Sequence, residues 1–305
     1  MIVASTPRFI TTRDGKRLRC QVFEAASGIP GRGVCVLLHG QTEFIEKYLE
    51  VIGELQGRGF TVATFDWPGQ GGSYRFLADS LKAHVGNFSE YDSALWLFMD
   101  EVVKPLTDKP PVILAHSMGG HISLRAMHDR PNAFKCAVLS APMLRALTRG
   151  YPPVLARAAC WLENQIGASN DWVWGMELRD PHLVTFDTQL VTSDRTRFQR
   201  TQDFVRKHPD LRLAGPTWGW LEQAYRSMAT VMAPGYAEAI LTPILICAAG
   251  KDRIVDVTAE HEFIRRLPHG QLFDMPEAEH EILMESDPIR ARFWSAFDAF
   301  VGKFV

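Results

Sequence analysis

The sequence predicts an α/β fold: a mostly parallel central sheet with helices on both faces, interrupted by an inserted helical cap. Three observations predict it. Short apolar runs without polar alternation recur along the chain, each followed by a stretch with helical spacing, as strands buried on both faces require. The rhythm breaks after Ala141-Pro142, where residues up to about Tyr236 become rich in Trp and Arg and contain no strand-like run. It then resumes for two further strands and a closing helix. The expected layout is a core of residues 1–141 and 237–305 split by a cap of residues 142–236.

Taken in order, Phe9 to Thr12 and Leu18 to Phe23 flank Asp14-Gly15 and read as a hairpin. Val34 to Leu38 is a continuous apolar strand ending at His39-Gly40. The spacing predicts a helix from Phe44 to Gln56 and a strand from Phe60 to Phe65 that ends at Asp66. A helix over Phe88 to Val103 precedes the strand Val112 to Ala115, which ends at His116. Met118 to His128 is helical, and Lys135 to Leu139 is the next strand. Within the insertion, Leu155, Ala159, Leu162 and Ile166 fall at helical spacing. Pro243 to Cys247 and Gln271 to Met275 are the last strands. Ile289 to Val301 forms an amphipathic helix with Phe293, Phe297 and Phe300 on one face.

Composition narrows the function. In 305 residues, 33 Lys and Arg against 35 Asp and Glu leave a net charge of −2, which argues against a nucleic-acid partner. With 46% hydrophobic and 22% charged residues the chain is globular rather than disordered. Cys20, Cys35, Cys136, Cys160 and Cys247 are odd in number and form no CxxC pair, so all five are expected to be reduced, in a cytoplasmic setting. Met1 to Arg13 shows no charged-then-apolar pattern of signal-peptide type, and no apolar run reaches the ~18 residues of a membrane span. No metal-ligand spacing and no nucleotide-binding loop occur, so no cofactor and no metal are expected.

The chemistry lies where strands end. Ala115-His116-Ser117-Met118-Gly119 sits between a strand and a helix and approaches the pattern G-x-S-x-G, with Ala for the first Gly. A sharp turn there exposes the Ser117 hydroxyl, and the helix N-terminus offers free N–H groups to a developing oxyanion. His39-Gly40-Gln41-Thr42 follows the neighbouring strand, so the N–H groups of Gln41 and Met118 are expected to form the oxyanion hole. A serine nucleophile needs a base, and that base needs a group to orient it. His280 follows the last strand and is preferred among ten histidines. His261 lies in a helix, His269 is at the wrong sheet edge, and His116 and His121 flank the nucleophile too closely. Asp252, directly after the penultimate strand, is preferred as the acid, with Asp256 second. His39, Gly40, His116, Trp218 and Trp220 are expected to line the substrate site.

These stretches, with Asp66-Trp-Pro-Gly-Gln-Gly-Gly-Ser73, His280-Glu-Ile-Leu-Met-Glu285 and Gly215-Pro-Thr-Trp-Gly-Trp-Leu221, resemble the α/β-hydrolases of the bacterial lysophospholipase and monoglyceride lipase group, also described as serine aminopeptidase-like. The resemblance covers nearly the whole chain. It implies an α/β-hydrolase fold, the triad Ser117, Asp252 and His280, and hydrolysis of a lysophospholipid or monoacylglycerol ester through an acyl-enzyme. A carboxylesterase of short soluble esters and a catalytically idle receptor stay open as alternatives. The chain departs from the pattern at Ala115 and at Gln70, where His is common. The stretch Gly69 to Ser73 reads as a tight structural turn. The cap's Trp161, Leu162, Trp172, Trp174, Phe186, Leu190, Trp218, Trp220 and Leu221 read singly as the cap's own core, and together as a channel for an acyl chain. The run Arg195, Arg197, Arg200, Arg206 and Lys207 reads as a solvated helix face, with peripheral contact to an anionic membrane as the sharper alternative.

Overall fold

Apolar runs become strands buried along almost their whole lengths: β3 (Gly33–Leu38), β4 (Phe60–Phe65), β5 (Val112–His116), β6 (Cys136–Ser140) and β7 (Ile244–Ala249). The computed structural model describes residues 6–148 and 150–305, so residues 1–5 of the first core segment and Arg149 of the insertion lie outside the described residues. The predicted hairpin forms from β1 (Arg8–Thr11) and β2 (Arg17–Phe23), with Ile10 opposite Leu18. Its turn uses Gly15 at φ +81°, a region open to glycine. With β8 (Gly270–Met275) the sheet has eight strands in the order β1-β2-β4-β3-β5-β6-β7-β8. β1, β2 and β4 pair antiparallel; every pair from β4 to β8 is parallel.

That order reverses direction at β3, with β4 on one side and β5 on the other. In an open parallel sheet such a reversal leaves a crevice beyond the carboxyl ends of the two diverging strands. The loops after β3 and β5, which carry Gln41 and Ser117, both open into that crevice.

Around the sheet run α1 (Leu49–Gly57), α2 (Ser89–Phe98), α3 (Ser117–Asp129), α7 (Val257–Ile264) and α8 (Asp287–Val301). Phe293, Phe297 and Phe300 of α8 are buried, as their spacing predicts. The predicted helix Phe44 to Gln56 begins instead as a 3-10 turn, Ile45–Tyr48. The one predicted over Phe88 to Val103 ends as a π-helical turn, Met99–Val103, just ahead of Pro105, whose missing N–H cannot extend it.

The segment between β6 and β7 carries α4 (Pro153–Gln165), α5 (Arg195–Lys207) and α6 (Trp218–Val231), and no strand among the described residues. α6 shares the main core through Trp220, Ala224, Met228 and Val231. α5 is tethered by charge. Arg197 bridges Glu50 (2.6 Å), Asp194 (3.0 Å) and Asp287 (2.6 Å) and is 12% exposed. Exposed ion pairs contribute only ~0.2–1 kcal/mol each, so half-exposed Arg200 on Glu50 adds little beside Arg197 and the packing of Val205 and Phe204 against Phe44. The reading of the cap aromatics as an internal core needs correcting for part of the set. Trp161, Leu162 and Trp174 are 56%, 54% and 69% exposed, and Cys160 is the one buried residue of α4. Trp218 and Trp220 are buried; α4 packs on α6 through Cys160 and leaves Trp161 and Leu162 facing outward.

Candidate active site

β5 delivers its last residue, His116, to the crevice, and Ser117 turns the chain with φ +49° into α3. Such a conformation costs a non-glycine residue roughly 1–2 kcal/mol and must be imposed by packing. Gly119 permits it: a Cβ there would sit 2.5 Å from the Leu38 carbonyl oxygen and 2.6 Å from that of His39. α3 therefore lies directly against the end of β3. Ala115 is fully buried and its methyl is accommodated where the pattern favours glycine.

The Ser117 hydroxyl lies 2.9 Å from His280 Nε2, and His280 Nδ1 lies 2.6 Å from Asp252 Oδ2. The second Asp252 oxygen accepts the N–H groups of Ile254 (2.7 Å) and Val255 (2.9 Å). Lys251 N–H donates to the Ala278 carbonyl at 2.9 Å, joining the loop of the acid to the loop of the histidine. Asp256, the second choice for the acid, instead accepts from Thr258 N–H as the N-cap of α7 and pairs with Arg145. His261 faces Asp274, away from Ser117.

Burial disfavours a charged His280, yet the carboxylate of Asp252, with Glu281 and Glu43 behind it, outweighs burial and holds the ring above the ordinary histidine value. Burial likewise works against the Asp252 charge, but His280 and two backbone N–H groups keep its carboxyl below the ordinary range. His116, its ring 4.8 Å from that of His280, is pushed down to about 3 by burial and is neutral. A neutral His116 donates Nδ1–H to the Ser140 carbonyl at 3.1 Å and adds no charge beside the base.

The loop after β3 is held from both sides. Gly40 N–H donates to Glu43 Oε2 at 2.5 Å, and Thr42 N–H to Gln70 Oε1 at 2.5 Å. Thr42 has φ +62°, an arrangement that costs a β-branched residue on the order of 1–3 kcal/mol. Between these anchors the Gln41 N–H has no hydrogen-bond partner among the described residues, and neither has the Met118 N–H at the first turn of α3.

A cavity of about 350 Å³ opens onto Ser117 and His280. Of the predicted substrate residues, His116 and Trp220 line it, as does Gln41. His39, Gly40 and Trp218 are not on its wall: His39 Nε2 turns toward Asp66 at 3.5 Å, and Trp218 packs edge-on against Trp174. The sequence reading passed over a buried ion cluster on the same wall, in which Lys47 Nζ bridges Glu43 (2.7 Å) and Glu281 (2.6 Å). The four-residue spacing of Glu43 and Lys47 is visible in the sequence. Their meeting with Glu281 depends on the fold.

The family model described as serine aminopeptidase, S33, matches residues 30–287. Lysophospholipase L2 of Escherichia coli strain K12 is 31% identical over 266 residues, covering 85% of this chain and 77% of that protein. A monoacylglycerol lipase of Mycolicibacterium smegmatis is 25% identical over 260 residues, covering 84% of each chain. Among solved structures, a soluble variant of monoglyceride lipase from Saccharomyces cerevisiae, in complex with a substrate analog, superposes with a TM-score of 0.78. It is 19% identical, with 99% of this chain and 96% of that one covered.

Proposed function

Because the chain belongs to the serine aminopeptidase S33 family of α/β-hydrolases and is a serine hydrolase of carboxylic esters, we propose that Ser117, His280 and Asp252 are its catalytic triad and a single-chain lipid ester its substrate. The observation that carries this reading is the continuous hydrogen-bonded line Ser117–His280–Asp252, whose first two members line the cavity. Ser117 Oγ attacks the ester carbonyl carbon while His280 Nε2 takes its proton; Asp252 holds the ring and stabilises the imidazolium. The carbonyl oxygen becomes an oxyanion facing the N–H groups of Gln41 and Met118, each donor contributing typically ~3 kcal/mol to the barrier reduction. The imidazolium gives its proton to the departing alcohol, leaving an acyl group on Ser117. Water, deprotonated by His280, then releases the acid and restores the serine.

His280 must be neutral to accept the serine proton, and its pKa is raised. Activity is therefore present above the folded-state pKa and lost as pH falls through it. A profile of kcat/KM against pH is expected to show an acid limb with its midpoint above the ~6.5 of an ordinary histidine. A midpoint below that value would contradict the assigned pairing of His280 with Asp252.

Substrate class follows from the size and lining of the cavity and from the relatives' names. At about 350 Å³ it stands at the lower end of the usual ~300–1,000 Å³ for ligand sites, which suits one acyl chain rather than two. Met143, Phe198, Val205 and Leu213 give it apolar walls. We read the segment 142–236 as a cap that closes over this chain. Four of the five basic residues of the α5 run, Arg195, Arg197, Arg200 and Arg206, are engaged in ion pairs, so lipid contact rests instead on α4 and its neighbours, where Leu155, Trp161, Leu162, Ile166 and Trp174 are exposed. No helix among the described residues is long and apolar enough to cross a membrane. All five cysteines are free and buried, which supports a cytoplasmic setting, with the cap touching the inner face of the membrane.

One panel tests these points: lysophosphatidylcholine, monoacylglycerols of graded length and short p-nitrophenyl esters. Each methylene buried at ~0.8 kcal/mol corresponds to about fourfold in kcat/KM, so long chains should exceed acetate by far more than tenfold. Comparable rates on acetate and long-chain esters would remove the lipid reading. Replacing Leu155 and Trp161 by Asp should slow hydrolysis of vesicle-borne substrate about tenfold and leave the short esters untouched. An equal effect on both, or on neither, would remove the membrane contact.

A further inference from the structure

Gln70 lies in the turn Gly69 to Ser73, a stretch that the sequence marks as tight and that the triad chemistry leaves unused. The turn is wrapped on buried Asp66. Gly71 has φ +49°, and a Cβ there would lie 2.2 Å from the Asp66 carboxyl carbon. Asp66 also accepts Gly72 N–H at 2.7 Å and Ile45 N–H at 2.9 Å, so the turn after β4 and the loop after β3 share one anchor. Between them stands the Gln70 side chain, only 2% exposed. Its oxygen accepts Thr42 N–H at 2.5 Å and reaches Glu43 N–H at 3.4 Å, while its nitrogen lies 3.8 Å from Met118 Sδ.

The amide therefore touches Met118 directly and reaches Gln41 through the peptide that joins it to Thr42. Thr42 N–H belongs to the peptide that follows Gln41, so holding it fixes the plane next to the Gln41 donor. Thr42 keeps its φ of +62° with this bond and its own hydroxyl on the Gln41 carbonyl at 2.6 Å. On the other side of Gln41, Gly40 N–H is held by Glu43. With the Gln70–Thr42 bond lost, Thr42 is free to relax from its left-handed conformation and carry the Gln41 N–H off line.

We propose that Gln70 is a positioning residue for the oxyanion hole, aligning the Gln41 donor through Thr42 and steadying Met118; this rests on the hydrolase mechanism above. Gln70 touches no reacting atom. What it supplies is an acceptor at a set height under the loop, so histidine, which also presents a ring nitrogen as an acceptor, should replace it and leucine should not.

The test compares wild type, Gln70→Leu and Gln70→His on one long-chain ester and on its thionoester, whose sulfur is a poor hydrogen-bond acceptor. In Gln70→Leu, kcat should fall about 10- to 100-fold with KM within about threefold, since a misplaced donor is lost in the transition state and not in substrate binding. The ratio of ester rate to thionoester rate should fall with it, because that ratio reads the oxyanion hole. Gln70→His should regain kcat to within about fivefold of wild type, and its thermal midpoint should separate positioning from folding. Should Gln70→Leu fail to fold, Gln70→Met, closer in length, takes its place. A folded Leu or Met variant with wild-type kcat and ratio overturns the proposal, as does a folded His variant no better than Leu. A wild type without ester hydrolysis would remove the mechanism itself, before any variant is compared.

Discussion

Ser117→Ala is expected to keep its fold and lose on the order of 10⁶ in kcat, the scale on which removal of a triad nucleophile acts. The fold is kept because the strain at φ +49° is imposed by the packing of α3 on β3, and alanine meets that demand at a cost similar to serine's. What is lost is one hydroxyl bonded to His280 at 2.9 Å, a change of about 1 kcal/mol in stability at most. Turnover of the preferred long-chain ester and the thermal midpoint check both halves. Turnover within tenfold of wild type by a clean, folded variant would mean that another group carries the reaction.

Asp252→Asn should cost about 10⁴ in kcat, and hydrogen bonding gives the reason. One Asp252 oxygen accepts Ile254 and Val255 N–H and has to remain an oxygen. The new amide nitrogen must then face His280 Nδ1 and donate to it, in place of the present 2.6 Å bond in which the ring donates. That places the ring proton on Nε2, facing Ser117, and a protonated Nε2 cannot accept from the serine. The carboxylate that stabilises the imidazolium is lost in the same change. Asp256→Asn is the control. Its side chain caps α7 and meets Arg145, so the change should cost up to about 1 kcal/mol of stability and leave kcat intact. Steady-state kinetics on both variants decide the matter, and equal losses would contradict the choice of Asp252.

The parts of this architecture that could be read from the sequence are those written locally. Strands β3 to β7 are apolar runs a few residues long, and the residues at which three of them end, His39, Asp66 and His116, mark one edge of the sheet. Once Ser117 stood at that edge, the loops after β7 and β8 were the places from which an acid and a base could reach it. Interactions between distant segments were not legible. Lys47 and Glu281 meet only through the fold, as do Arg197, Arg200 and Arg290, which converge on Glu50. The apolar spacing of α4 showed an amphipathic helix but not which way its stripe faces, and Leu155 and Ile166 are 62% and 68% exposed. Gln70 was visible as a departure from a pattern; its bond to Thr42 needed the two loops placed side by side.

Hydrolysis by this mechanism requires that Ser117 become acylated, and covalent labelling reads this directly. Wild-type protein treated with a long-chain fluorophosphonate should take up one label per chain, on the peptide that carries Ser117, with the Ser117→Ala variant unlabelled. Folded wild-type protein that takes no label, or that carries it on a serine elsewhere, would contradict the assignment.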